Sequence, residues 1–362
     1  MVTPGSLELS RKQLKLLISF GAVFVYGAFS SLRSHSHESF ITETSIPRSL
    51  SEVVPHSIYP WAKLDLIPVE KPPSSSHHET AIFWHIPKSG GTTIKHLYKC
   101  FGVSVADKFG AHIQHHEQDT EIISFQPWPK KSRTTYVNVD VSNKEGILHA
   151  SALGLVPSDK ADIIITTKPE FAVGMLFDKS HRGRFLILVR EPIDRLVSLF
   201  YYLQVATWEV SYRPDWKKLS LLDWSQKHAQ SWRDFLVKKI MGKDQFTEEE
   251  FEELKETVRK YFVVGLMNEM EESVNRFNAA MGINEKTTEY YEPCMSRFFW
   301  DHHQESGEAH NSNEHPKVRE IMISSFFRSE ILHWLHSLLT CLPSCWKGLP
   351  SGIFWPSRTV TT

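Results

Sequence analysis

Short apolar runs alternate with amphipathic stretches through the middle of the chain. Residues 81–84 and 185–189 are continuous apolar runs, the pattern of strands that are buried on both faces. Residues 136–139 and 162–166 predict two further strands, and residues 144–155 between them predict a helix. Strands and helices that alternate at this spacing are typical of βαβ units. The pattern therefore predicts a three-layer α/β fold, with a central parallel sheet flanked by helices.

The sequence pattern predicts that residues 203–260 are mainly helical. A helix that begins before this region is marked by Pro192, which suits the first helical turn. Thr247 and Glu250 have the spacing of a capping box, which predicts the start of another helix. The apolar residues after Pro192 recur at helical spacing and predict one buried stripe. This stripe consists of Ile193, Leu196, Val197 and Phe200.

The N-terminal region has a different pattern. Residues 16–32 contain no charged side chain and follow Arg11, Lys12 and Lys15. As a helix they span about 26 Å, at the short end of what crosses a bilayer. The positive flank predicts that residues 1–15 are cytosolic and that the rest is lumenal, as in a type II signal anchor. A cleaved signal peptide and a buried helix of a soluble protein remain alternatives.

The segments after the anchor differ in composition. Residues 33–78 are rich in Ser, Pro and His and predict a flexible stem. Residues 79–330 contain the α/β pattern, and residues 331–362 form a divergent tail. With four cysteines in 362 residues the chain is not a disulfide scaffold. Cys341 and Cys345 are compatible with a lumenal disulfide and with free thiols.

The overall charge excludes one class of partner. The formal net charge is −1, so no global basic field attracts nucleic acid. A polyanionic acceptor would need a local basic patch. The 19 histidines would gain charge in a mildly acidic compartment.

The loop after the first predicted strand has the composition of an anion-binding site. Its glycines allow close backbone approach to a ligand, and its threonines open a helix whose free N–H groups attract anions. The lysine and three hydroxyls add donors suited to phosphate or sulfate. The lysine precedes the glycines, which is not the order of a Walker A loop. The loop residues are Lys88, Ser89, Gly90, Gly91, Thr92 and Thr93.

A second motif begins where the apolar run 185–189 ends. Arg190 follows this predicted strand at the rim of the sheet, where α/β proteins bind ligands. Ser198 lies on the polar edge of the following helix, one turn beyond Asp194. Taken alone, Arg190 is equally compatible with a structural ion pair to a neighbouring carboxylate.

Together the two motifs resemble those of sulfotransferases that use 3′-phosphoadenosine 5′-phosphosulfate (PAPS). The form His-Ile-Pro-Lys-Ser-Gly-Gly-Thr-Thr looks most like the Golgi carbohydrate O-sulfotransferases of the heparan and chondroitin type. The resemblance covers residues 80–285, including a late strand-to-helix segment at 261–270. It implies a P-loop-like fold, PAPS as co-substrate without a metal, and a membrane-anchored Golgi enzyme with a lumenal catalytic domain. The implied acceptor is a glycan or polysaccharide.

The resemblance also assigns roles to individual residues. Lys88 neutralises the leaving group, and the loop around it binds the 5′-phosphosulfate. Arg190 and Ser198 bind the 3′-phosphate, whereas Arg195 is structural.

The general base is harder to assign. In related enzymes it is a His or Glu, often in a loop some twenty residues before the 3′-phosphate arginine. Here that loop, residues 166–170, has no histidine. We predict Glu170 first and His149 second, and it remains open that neither is catalytic. The cluster His112, His115 and His116 has spacing compatible with zinc, although a polar loop is favoured, and it is a further possible source of the base.

Two other functions remain. The missing histidine is compatible with a PAPS-binding protein that lacks transferase activity, and a nucleotide kinase or NTPase is disfavoured by the lysine position. Trp208, Trp216, Trp224 and Trp232 recur every eight residues. We predict core packing for these tryptophans, with stacking on acceptor sugars as the alternative.

Overall fold

The computed structural model describes residues 65–74, 79–113, 119–127, 134–228, 232, 234–300, 317, 318 and 320. All of them belong to one unit of the chain, which begins after residue 54. The predicted anchor, the N-terminal part of the stem and the divergent tail lie outside the described residues. In the part of the chain that is described, no helix is long and apolar enough to cross a membrane.

Seven strands form one sheet in the order β3-β4-β2-β5-β1-β6-β7. Neighbouring strands are parallel except β3 and β4, which are antiparallel. The mostly parallel sheet confirms the predicted architecture, and each predicted strand is present within two residues of its expected ends. The strands are β1 (Ala81–Trp84), β2 (Ser104–Ala106), β3 (Ser124–Phe125), β4 (Thr135–Val137), β5 (Ile163–Thr166), β6 (Arg184–Val189) and β7 (Phe262–Leu266).

Ten α-helices lie among the described residues. Those expected from Pro192 and from the capping box are present, and the capping hydrogen bonds of Thr247 and Glu250 form as predicted. The helices are α1 (Gly91–Phe101), α2 (Lys108–His112), α3 (Lys144–Ala152), α4 (Pro169–Leu176), α5 (Pro192–Leu203), α6 (Leu221–His228), α7 (Phe235–Met241), α8 (Glu248–Tyr261), α9 (Met270–Met281) and α10 (Tyr291–Met295). Short 3₁₀ turns at Pro214–Lys218 and Met267–Glu269 and a π-helix at Ser296–Trp300 complete them.

The sheet separates two apolar cores because successive side chains of a strand point to opposite faces. On β1, Ala81 and Phe83 face the core beneath α1, α9 and α10. Ile82 and Trp84 face the core beneath α3, α4, α7 and α8. All four side chains are buried. This double burial explains why the strands are continuous apolar runs, and it gives the predicted three layers.

A third apolar cluster joins α5 to α6. The predicted stripe of α5 is buried, with Phe200 lying 5.2 Å from Trp224 between ring centres. Trp216 packs in the same cluster, so the prediction of core packing is confirmed for these two tryptophans. Trp208 differs, because 73% of it is exposed.

Cys100 and Cys294 form a disulfide that the sequence did not predict. It joins α1 to α10 across a sequence separation of 194 residues. The two residues carry no local spacing signal, since only the tertiary fold brings them together. Within the loop-entropy account, so large a closed loop restricts the unfolded chain strongly.

The strand order determines where ligands can bind. After β1 the chain passes over β5 to reach β2, and later β6 joins the other side of β1. The direction of the sheet order therefore changes at β1. In open parallel sheets, crevices form at such points beyond the carboxyl ends of the strands. The predicted anion-binding loop lies just beyond the carboxyl end of β1.

Candidate active site

The loop after β1 is a tightly constrained turn. Lys88 has φ 66° and Gly90 has φ 78°, both in the left-handed region. A non-glycine residue rarely adopts this conformation, and such residues cluster at functional sites. Gly91 is required for space, because a Cβ at this position would lie 2.1 Å from Cδ2 of His85. The two glycines thus serve different purposes, one conformational and one steric.

The loop presents hydrogen-bond donors without protein acceptors. Ser89 is only 2% exposed, yet its Oγ has no hydrogen-bond partner among the described residues. Helix α1 begins after Gly90 without a side-chain cap, whereas α3 and α5 are capped by Asn143 and Glu191. The first N–H groups of a helix have no intrahelical acceptor. The orphaned hydroxyl and the uncapped helix start together fit a bound oxyanion.

The two sequence motifs meet at this loop. Arg190 follows β6, and its guanidinium donates a 3.2 Å hydrogen bond to the carbonyl oxygen of Lys88, 102 residues away. Ser198 lies half-buried two turns along α5. The parallel pairing of β1 with β6 brings Lys88 and Arg190 together, since both residues follow the carboxyl ends of adjacent strands.

Positive charge is concentrated and partly desolvated here. Burial, followed by the nearby Arg190, lowers the pKa of Lys88, while Glu209 opposes this shift. Burial also lowers the pKa of Arg190, against the opposing effect of Asp194 and then Glu191. An anionic ligand would relieve the cost of holding two cations this close together.

Arg195 has surroundings unlike those of Arg190. It is 3% exposed, and its guanidinium lies 4.5 Å from the centre of the Phe235 ring. Burial, with a smaller effect of Arg190, lowers its pKa to about 10. Packing against an aromatic ring agrees with the structural role expected for this residue.

A cavity of about 300 Å³ opens beside the loop. It is lined by Thr92 and Thr93 of the loop and by His96 of α1. Arg297 and Phe298 of the π-helix line it as well. Burial, followed by Lys99, Lys95 and Arg297, lowers the pKa of His96. Sequence reasoning missed Arg297 because it lies about 200 residues from the loop in the chain.

A second group of missed residues lies next to Lys88. The Lys88 Nζ is 4.1 Å from the centre of the Tyr202 ring. The Tyr202 hydroxyl donates a 2.6 Å hydrogen bond to Oε1 of Glu209 and accepts a 3.2 Å bond from the indole N–H of Trp208. One sequence signal existed, because Tyr202 is four residues after Ser198 and so shares its helix face.

His85, the first residue after β1, was also missed. Burial, followed by Lys95, lowers the pKa of His85, against the opposing effects of Asp107 and Glu209. This shift favours the neutral imidazole, which suits its packing against Gly91.

The predicted general bases lie on the opposite side of β1, following the strands β4 and β5. Glu170 is half-buried in the first turn of α4. Burial raises its pKa, although Lys239, Lys168 and Lys144 oppose this. His149 is exposed in the last turn of α3. Within the described residues neither side chain makes a hydrogen bond to the loop, so both assignments stay predictions.

The histidine cluster is only partly visible. His112 lies 3.2 Å from Asp140, while His115 and His116 lie outside the described residues. The described part of the chain holds no group of three or more His, Cys, Asp or Glu side chains arranged to bind a metal.

These features define an α/β protein with a loop that fits a bound anion at the carboxyl end of its central strand. The sulfotransferase family profile matches residues 75–339, most of the chain, and the protein belongs to this family. The family transfers sulfate groups, and membership implies PAPS as the co-substrate. No curated protein matches the sequence.

Proposed function

We propose that the protein transfers the sulfuryl group of PAPS to a hydroxyl of a carbohydrate, releasing 3′,5′-ADP. The observation that carries the proposal is the hydrogen bond between Arg190 and the Lys88 carbonyl. It unites the motif proposed for the 3′-phosphate with the loop proposed for the 5′-phosphosulfate. The orphaned Ser89 hydroxyl supports an oxyanion at the same loop.

The reaction breaks the bond between sulfur and the bridging phosphate oxygen, and forms a new bond from sulfur to the acceptor oxygen. Lys88 donates to the bridging oxygen as negative charge develops there, so its effect is largest in the transition state. Ser89 and the first N–H groups of α1 hold the other phosphate oxygens. Each charge-assisted bond contributes about 1.5–3 kcal/mol.

The acceptor hydroxyl must lose its proton as the new bond forms. We assign this proton to Glu170, with His149 as the second candidate. Burial raises the pKa of Glu170, which moves it towards neutral pH and makes the carboxylate a better proton acceptor.

A carbohydrate acceptor is supported by Trp208. Its exposed ring lies beside Tyr202, and therefore close to the ammonium group of Lys88. Neighbouring Val205 and Val210 are also exposed, which gives this turn an apolar surface. Aromatic rings with one polar atom engaged and one face open suit the apolar face of a sugar ring.

The decisive experiment combines turnover with binding. Labelled sulfate from PAPS should appear on at least one member of a panel of glycans, but not on tyrosyl peptides or small alcohols. By calorimetry without metal, 3′,5′-ADP should bind at least about tenfold tighter than 5′-AMP, a difference of about 1.4 kcal/mol. Arg190→Ala should abolish most of this preference. Equal affinity of the wild-type protein for the two nucleotides would refute the proposal.

A Golgi location, with the catalytic domain lumenal and a type II anchor at residues 16–32, is part of the proposal. The Cys100–Cys294 disulfide supports an oxidising compartment. Full-length protein should stay with membranes after alkaline carbonate extraction, with its C-terminus protected from added protease. Recovery of a soluble, N-terminally shortened form would instead favour the cleaved signal peptide.

A further inference from the structure

The ring of Tyr202 is fixed in place beside the proposed catalytic lysine. Its hydroxyl donates to Glu209 at 2.6 Å and accepts from Trp208 at 3.2 Å. A phenol whose donor and acceptor functions are both engaged has a defined ring orientation. The face of this ring lies 4.1 Å from Lys88 Nζ, a distance at which the ring attracts a cation.

The charges around Lys88 have a definite arrangement. Arg190 repels the Lys88 ammonium group and Glu209 attracts it, so each acts on the lysine pKa in its own direction. Glu209 also acts to raise the pKa of His85, although burial and Lys95 lower it overall. Tyr202 stays neutral, because burial and then the bond to Glu209 raise its pKa. Glu209 thus offsets the positive charge of Lys88, as Asp194 and Glu191 do for Arg190.

We propose that Tyr202 and Glu209, here called the lysine seat, are positioning residues that hold the Lys88 ammonium group at the anion-binding loop. The role of Lys88 in turnover rests on the proposed function, whereas its contacts with the seat do not. A lysine side chain is a flexible stem carrying a point charge, and ordering it costs conformational entropy. A seat that supplies this order in advance places the donor where the leaving group forms.

The first test measures the lysine directly and needs no turnover. The lysines of the purified full chain are ¹³C-dimethylated, the Lys88 signal is assigned with Lys88→Arg, and its pH titration is followed by NMR. Loss of the attracting carboxylate in Glu209→Gln should move the Lys88 midpoint to lower pH. Glu256→Gln on the exposed face of α8 is the matched control and should leave it in place. An unchanged midpoint in Glu209→Gln would overturn the seat.

The second test separates positioning from nucleotide binding. Tyr202→Leu removes the ring and should lower kcat about tenfold, the size of a partly desolvated cation–π contact, while 3′,5′-ADP affinity changes less than about twofold. Tyr202→Phe keeps the ring and should retain most of the turnover. Glu209→Gln should also move the alkaline limb of the pH–rate profile to lower pH, since Lys88 acts when protonated.

The outcomes distinguish the two proposals. A wild-type protein that neither binds 3′,5′-ADP nor transfers sulfate would overturn the proposed function. The NMR titration would still show whether the lysine seat positions Lys88. If the wild type is active and Tyr202→Leu and Glu209→Gln both keep its kcat, the positioning role of the lysine seat is overturned and the proposed function is not. If Tyr202→Leu fails to fold, Tyr202→Phe and Glu209→Gln decide the matter. A tenfold loss in Tyr202→Phe equal to that in Tyr202→Leu would contradict the role of the ring.

Discussion

Two groups of residues surround Lys88, one proposed to bind the nucleotide and one proposed to face the acceptor, and the two groups are built in different ways. On the nucleotide side, the loop from Lys88 to Thr93 and the motif from Arg190 to Ser198 are each continuous in sequence. Adjacent parallel strands place them together. On the acceptor side, Tyr202 and Glu209 come from the end of α5 and the turn after it, and they are linked through side-chain contacts.

This difference has a physical cause. Binding a phosphosulfate needs backbone N–H groups and a fixed helix start, which only a particular local sequence can form. An acceptor surface needs one exposed ring and one well-placed polar group, which many sequences can supply. Motifs therefore identify the first side and leave the second to the structure.

The largest effect is expected from the proposed general base, which belongs to neither of the two groups around Lys88. Glu170→Gln should lower turnover by about 10²-fold or more and leave 3′,5′-ADP affinity unchanged, because a base contributes to proton transfer alone. Because the base acts when deprotonated, wild-type kcat should fall as pH drops through the Glu170 pKa, which burial has raised. That acidic limb should be absent from the pH–rate profile of the variant.

Two further variants make this result interpretable. Lys88→Ala should also lose about 10²-fold in kcat, but with a moderate loss of 3′,5′-ADP affinity, because Lys88 is proposed to contact the leaving group. His149→Ala should keep most of its turnover. Near-normal turnover in Glu170→Gln together with inactive His149→Ala would reverse the two assignments. If neither matters in an active enzyme, the base lies elsewhere, with His112 a candidate among the described residues.

Much of the fold could be predicted from sequence because the strands are buried on both faces. A continuous apolar run such as residues 185–189 predicts a strand in the middle of the sheet, where both faces are buried. The helical spacing of apolar residues after Pro192 identified the buried stripe of α5. The sequence predicted close backbone approach at the two loop glycines but did not show that Gly90, with φ 78°, is the one in the left-handed region. Strand ends differed by one or two residues, since the last paired residue depends on neighbouring strands.

Features that depend on distant residues could not be predicted. The Cys100–Cys294 disulfide and the contribution of Arg297 to the cavity need the whole fold to bring them together. The spacing of the tryptophans suggested a shared role, but burial separates Trp208 from Trp224. Trp208 lies in a turn, Trp216 in a 3₁₀ turn and Trp224 in helix α6, so their spacing of eight residues belongs to no single element and carried no information about exposure.

The smallest predicted effect would sharpen the description of the acceptor side. If Trp208 is a platform for a sugar ring, Trp208→Ala should raise the acceptor KM about two- to tenfold, the value of an aromatic contact of about 0.5–1.5 kcal/mol. Affinity for 3′,5′-ADP should be unchanged. Steady-state kinetics with the best glycan of the panel would measure both constants.

Trp208 also donates to Tyr202, so its platform role must be separated from support of the lysine seat. Trp208→Phe keeps an aromatic face but loses the N–H donor, and a platform predicts an acceptor KM close to that of wild type. Val210→Ala, at an exposed position two residues away, is the matched control for loss of apolar surface. A fall in kcat shared by Trp208→Phe and Trp208→Ala, with acceptor KM unchanged in both, would mean that Trp208 acts through Tyr202. In that case the acceptor would be held by other residues, and the apolar turn would not belong to its binding surface.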